Sequence, residues 1–229
     1  MSTAASSNPR HGALACARRR ANKTGQTRHY PALRRDELGA FQRKLVEYPG
    51  RPETRLALQL LLLSFVRPGE LRAARWTEFD LEAAEWRIPA ARMRGRADHI
   101  VPLSRQAVAA LEELRTLTGH GEYLFPGGHK RVPYMSENTI NKAIAVLGYK
   151  GRIVGHGFRA TASTILNEAG RFPVDAVERQ LAHAERNKVR AAYHRAEYLR
   201  ERRVMMQEWA DLLDGLRQGG EVRQFQRRG

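Results

Sequence analysis

With 229 residues and 42% apolar content, the chain can form one folded domain with a small extension around a real core. Its net charge of +16 points to a polyanionic partner, because neutralising phosphates releases their condensed counterions. A single cysteine, Cys16, excludes a disulfide framework within the chain; the longest apolar run, Leu56 to Val66, is too short to span a bilayer, and no apolar stretch follows Arg18-Arg19-Arg20, so the reading is cytoplasmic.

Residues 1 to 30 are rich in Ser, Ala, Asn, Arg and Lys without an apolar period, and read as a disordered basic arm. The folded domain is expected over 31 to 229. A helical pattern begins at Asp36, with Leu38, Phe41, Leu45 and Val46 on one face. Glu53 to Phe65 is apolar nearly all round, which predicts a central, buried helix. Pro68 suits the first turn of a short helix reaching Ala74. Trp86 to Pro89 and His99 to Leu103 read as two strands of a small antiparallel sheet. Ser104 caps a helix to Leu117, residues 119 to 135 read as a Gly- and Pro-rich loop, and Ser136 caps a helix from Glu137 to Leu147. Helices are expected over His156 to Ala169, closed by Gly170, and over Asp175 to Leu181. The stretch from Lys188 to Arg195 is helical in composition. A last amphipathic helix, Leu199 to Leu216, carries Met205, Trp209, Leu212 and Leu216 on one stripe. The fold class is mainly α with a small antiparallel β-sheet.

Three groups of residues carry chemistry when taken together. They are Arg67-Pro68-Gly69-Glu70-Leu71, His156-Gly157-Phe158-Arg159, and Leu181-Ala182-His183 followed by Arg190-Ala191-Ala192-Tyr193. A phosphodiester resists attack because its non-bridging oxygens share a negative charge, which an enzyme must neutralise most strongly in the transition state. Arg67 and Arg159 each offer a planar fork for phosphate oxygens. Glu70 follows Arg67 on the same helical face and can hold its guanidinium in place. Tyr193 is the candidate nucleophile; a phenol with a pKa near 10 needs a base, for which His156 is the candidate. His183 is then a donor to a phosphate oxygen. Each piece alone has a bland reading: a surface ion pair for Arg67 and Glu70, a packing residue for Tyr193, and Tyr198 as a decoy of the same kind. Arg92, Arg96, Lys130, Lys150 and Arg152 are candidate DNA contacts.

In order and context these boxes resemble the tyrosine recombinase family, the phage-type integrases, over about residues 30 to 215. Arg67 to Leu71 resembles the first arginine box, Gly155 to Thr164 the second, and Leu181 to His183 with Arg190 to Tyr193 the histidine and tyrosine boxes. The resemblance implies the tyrosine recombinase catalytic-domain fold and a mechanism in which Tyr193 attacks a DNA phosphate, forms a 3′-phosphotyrosyl bond and frees a 5′ hydroxyl. The bond energy is kept for rejoining, so the implied cofactor list is empty: neither ATP nor a metal. Implied partners are double-stranded DNA and further copies of the chain, as tetramers in the family, with the final helix docking in trans; its stripe serves equally to pack on its own domain. Two departures stand out. The family's lysine in the turn before His99-Ile100-Val101-Pro102-Leu103-Ser104, its general acid, is matched here by Arg94, with Lys130 and Lys150 as other lysines within the chain. Full-length members carry an arm-binding and a core-binding domain ahead of this one, which makes a truncated integrase the expectation. Two alternatives remain: a non-catalytic or weakly active DNA-binding remnant, and DNA relaxation of the type IB topoisomerase kind.

Overall fold

A computed structural model describes residues 31–95, 97–129, 132–183 and 198–219. Residues 1–30, expected as a basic arm, Arg96, Lys130 and residues 188–195 with Tyr193, expected as helical, lie outside the described residues.

Helix α1 (Arg35–Val46) leads through Gly50 into α2 (Pro52–Ser64), whose Leu56, Leu58 and Leu60 to Leu63 are all buried. As its all-round apolar sequence predicts, α2 is the hub, touching α1, α3 (Pro68–Arg72), α4 (Arg105–Thr118), α5 (Glu137–Val146), α6 (Gly157–Ala169) and the last described helix, α8 (Leu199–Gln218). Each such leucine contributes roughly 1.5–3 kcal/mol by leaving water. Helix α7 (Val174–Gln180) packs between α6 and α8.

The sheet has three antiparallel strands in the order β1 (Phe79–Asp80), β2 (Glu85–Ile88) and β3 (His99–Pro102), with Trp86 opposite Val101. The two longer strands follow the sequence reading; β1 does not, because two residues are too few to show a period. Trp86 is buried, stacks on Phe79 at 4.9 Å and donates from Nε1 to Glu78 at 2.9 Å.

Residues 119–135 contain more than a loop. Pro126–His129 (β4) and Val132–Tyr134 (β5) form an irregular hairpin. Gly127 hides it from any propensity argument, yet the hairpin needs a glycine there: a Cβ would stand 2.5 Å from the Tyr134 carbonyl oxygen. Ser104 accepts from the Ala107 amide at 3.2 Å and caps α4. Ser136 makes no such bond to the start of α5; its hydroxyl instead lies 3.3 Å from that of Thr139.

In α8, Met205, Met206, Trp209, Ala210, Leu212 and Leu213 are buried against the chain's own α1, α2 and α7. Trp209 donates from Nε1 to the Leu62 carbonyl at 2.9 Å. At the far end, Arg43 of α1 donates to the Leu216 and Arg217 carbonyls at 3.2 Å each, meeting the last turn of the helix with a cation. Among the described residues no helix is long and apolar enough to cross a membrane.

Candidate active site

The C-terminus of α2 sets the first arginine. Phe65 ends that helix in the left-handed conformation, φ 60°, and is fully buried, so the turn is fixed by packing rather than by a permissive residue. Arg67 then becomes the N-cap of α3 with Pro68 in the first turn. Glu70 binds it twice, accepting from the Arg67 amide at 2.8 Å and from Nη1 at 2.7 Å. One carboxylate thus caps the helix and orients the guanidinium. The other fork nitrogen, Nη2, donates to the Ala182 carbonyl at 3.2 Å.

Helix α6 presents the second pair. His156 is its N-cap and is flanked by glycines that allow two close approaches. A Cβ on Gly155 would stand 2.7 Å from Ile140 and 3.3 Å from the Pro68 ring; one on Gly157 would stand 2.1 Å from the Pro31 carbonyl oxygen. The glycines therefore let the His156 turn lie against both α3 and the irregular segment at Pro31 that leads into α1. Asn141 accepts from the Gly155 amide at 2.9 Å and holds the same turn from α5. Arg159, one turn further on, is buried and donates to the Phe65 and Leu181 carbonyls. Burial first, and the Arg67 charge second, bring its pKa down to about 10, so it remains a cation at neutral pH.

The turn after α7 supplies the rest. Ala182 is left-handed, φ 48°, and its carbonyl and that of Leu181 face the two arginines. His183 follows, with Nδ1 2.7 Å from Glu178 Oε2, which leaves Nε2 for a second contact. His156 is half-buried, and its pKa lies below the ordinary histidine value. Desolvation is the main cause, followed by the charges of Arg159 and Arg67, with Glu70 opposing and His183 adding slightly. These five side chains act on one another at close range, with two cations and a carboxylate around the half-buried His156 ring.

The structure thus brings Arg67, Glu70, His156, Arg159 and His183 together; Tyr193 lies outside the described residues. Arg94 is exposed in the connection between β2 and β3. Arg92 is turned inward: it binds the Glu78 carboxylate and the Glu70 carbonyl, bracing α3 from the sheet side. Arg152 pairs with Glu37 and stands over the Tyr149 ring, while Lys150 is exposed. Sequence reasoning missed Glu178 and the carbonyls of Phe65, Leu181 and Ala182. The carboxylate lies five residues before His183, outside the three- or four-residue spacing of a helical face, and the carbonyls carry no side-chain signal at all. Among the described residues no group of His, Cys, Asp and Glu could hold a metal ion.

Residues 32–200 match the phage integrase family. The integrase of Enterobacteria phage P4 is 50% identical, the match covering 83% of this chain and 47% of that protein. The prophage integrase IntA of Escherichia coli strain K12 is 43% identical, covering 86% of this chain and 48% of that one. The chain therefore spans about half the length of the curated relatives it matches. Among solved structures, the integrase of mycobacterium phage Brujita superposes with a TM-score of 0.57 at 15% identity, over 90% of this chain and 62% of that one. A lambda integrase dimer bound to a core site superposes with a TM-score of 0.51 at 18% identity, over 80% of this chain and 64% of that one. These distant likenesses show a shared fold, and the closer sequence matches show descent: the chain belongs to the phage integrase family.

Proposed function

We propose that this chain carries the DNA-cleaving and rejoining site of a site-specific recombinase, acting on double-stranded DNA in the bacterial cytoplasm and assembling with further copies of itself, as a tetramer, on that DNA. The observation that carries the reading is the convergence of Arg67 and Arg159 on the adjacent carbonyls of Ala182 and Leu181, with His156 beside them. Two fixed guanidiniums form an anion pocket already organised for a phosphate, and each such donor is worth about 3 kcal/mol or more of barrier.

In this pocket Arg67 and Arg159 neutralise the non-bridging oxygens. His156, held neutral by burial and by the two cations, accepts the phenolic proton of Tyr193 as its oxygen attacks phosphorus. His183 in its protonated form donates from Nδ1 to Glu178, which orients the ring, and from Nε2 to a phosphate oxygen. The bond from phosphorus to the 5′ oxygen breaks, that oxygen takes a proton from water, and the 3′ phosphate stays on Tyr193. Attack by a 5′ hydroxyl reverses each step and restores the phenol. Glu70 positions Arg67 throughout.

A second reading rests on one observation. Arg94, which by sequence resembles the family's proton-donating lysine position, is exposed in the sheet turn. An arginine gives up a proton reluctantly, whereas a lysine's pKa can be lowered by its site. The alternative is a DNA-binding relative with slow chemistry. The test is a pool of nicked, labelled duplexes from which the cleaved fragment diffuses away. Covalent product that disappears in Tyr193→Phe and persists in Tyr198→Phe supports the enzyme. Binding without covalent product supports the second reading, and relaxation of supercoiled plasmid without recombinants supports topoisomerase-like action.

A further inference from the structure

A buried clasp lies behind the anion pocket, outside the residues that would touch a phosphate. Gln180, the last residue of α7, and Arg202, in the first turn of α8, are both wholly inaccessible to solvent. Arg202 donates from Nε to Gln180 Oε1 at 3.0 Å, and from Nη2 to the Ile100 carbonyl of β3. Gln180 donates from Nε2 to the Ser64 carbonyl at 2.9 Å. An apolar core has no use for a guanidinium, and burying one is costly unless every donor is engaged.

The partners of Gln180 explain its place. Arg159 is gripped by the carbonyls of Phe65 and Leu181. Phe65 follows Ser64, whose carbonyl Gln180 holds, and Leu181 follows Gln180 itself. The same side chain therefore ties together the two backbone segments that grip Arg159. One residue beyond Leu181, the Ala182 carbonyl receives Arg67. Both segments pass through left-handed residues, Phe65 at φ 60° and Ala182 at φ 48°, conformations that persist only where the surroundings impose them.

We propose that Gln180 and Arg202 are positioning residues for the phosphate pocket: Arg202 locks Gln180, and Gln180 sets the carbonyls that aim Arg159 and Arg67. The inference rests on the reading of that pocket as the cleavage site. It also gives α8 a function beyond packing. In the sequence Tyr193 lies between Gln180 and Arg202, so their bond joins the two ends of the stretch that bears the nucleophile.

The test uses the full chain with Arg202→Met, Gln180→Met and Gln180→Glu. The glutamate keeps a partner for Arg202 but cannot donate to Ser64. Trp209→Phe, which removes a buried donor bond but keeps an aromatic ring against Phe65 and makes no bond to Gln180 or Arg202, is the control for lost stability. The first readout is arginine side-chain NMR, with Arg159 assigned by Arg159→Lys. In the parent protein and in Trp209→Phe, the Arg159 Nη protons stay resolved and slow to exchange. In all three clasp variants they exchange roughly tenfold faster or more, the loss of about one hydrogen bond's worth of restraint. The second readout is single-turnover cleavage of a phosphodiester and of the matching methylphosphonate, which carries no negative charge for the arginines to neutralise. Clasp variants slow the first by about tenfold or more and the second far less, because what they lose is aimed positive charge.

Unchanged Arg159 exchange in Arg202→Met and Gln180→Met overturns the proposal, as does equal slowing on both substrates. So does a loss in Trp209→Phe as large as theirs. If the parent chain forms no covalent product on either substrate, the cleavage reading fails, and the NMR comparison alone still decides whether the clasp positions the arginines.

Discussion

His156 and Arg94 show how far single residues decide the chemistry. Burial and two neighbouring cations hold the His156 pKa below the usual 6.5, so the ring stays neutral, and able to accept a proton, below the pH where an ordinary histidine is half charged. A histidine NMR titration should place its midpoint below 6.5, and Arg159→Met should move it upward; a midpoint at or above 6.5 would contradict the electrostatics described. In the proposed mechanism Arg94 poses the opposite problem, a cation where an acid is expected. Arg94→Lys should speed cleavage of a normal phosphodiester by roughly 10²-fold, the lower range of general acid catalysis. A substrate with a sulfur leaving group should show almost no change, since a thiolate departs without a proton. Equal acceleration of both substrates would remove the acid argument. His99, buried on β3 among Arg202, Arg179 and Arg159, has its pKa pushed down to about 3, first by burial and then by those charges. The folded form resists the proton and the unfolded form takes it near 6.5. Stability is therefore full above that pH and declines as pH falls toward 3, by up to about 1.4 kcal/mol per unit. Urea unfolding between these limits should show the decline, and His99→Gln should flatten it.

At the scale of elements, each helix here is positioned by what its ends meet. Gly157 lets α6 begin against the Pro31 carbonyl, where a Cβ would stand 2.1 Å from backbone. Gly157→Ala should cost about 1–3 kcal/mol by chemical denaturation, the usual range for forcing atoms into a packed site. It should also weaken cleavage, because His156 and Arg159 move with the helix. Wild-type stability in this variant would show that the contact gives way freely. The helices were legible because their apolar residues recur on one face, as at Leu38, Phe41 and Leu45, and because α2 is apolar all round. The β4–β5 hairpin was not, since Pro126 and Gly127 argue against a strand while their backbone forms one. The site shows the same division. Arginine and histidine side chains announce themselves by spacing, whereas the Phe65, Leu181 and Ala182 carbonyls that hold them belong to residues with no polar side chain. Gln180 and Arg202 read as ordinary helical residues until α7 and α8 are packed together.

For the whole molecule, helices from the beginning, middle and end of the chain pack on α2. Residues 32–200 carry the family match, and the chain spans about half of the relatives it resembles. Under the proposed function, the net charge of +16 attracts DNA generally, and Arg67, Arg159, His156 and His183 give that attraction one reactive address. The central claim is that Tyr193 becomes joined to DNA through a 3′ phosphate. The most direct measurement is to trap the protein on a nicked duplex labelled at the 5′ end of the cut strand, denature, digest with trypsin and sequence the DNA-linked peptide by mass spectrometry. The account predicts that the 5′ label stays with the protein and that the DNA is linked to Tyr193 within the peptide Ala191 to Arg195. Linkage to Tyr198 or another residue, or a label released as free DNA while the opposite end remains bound, would contradict it.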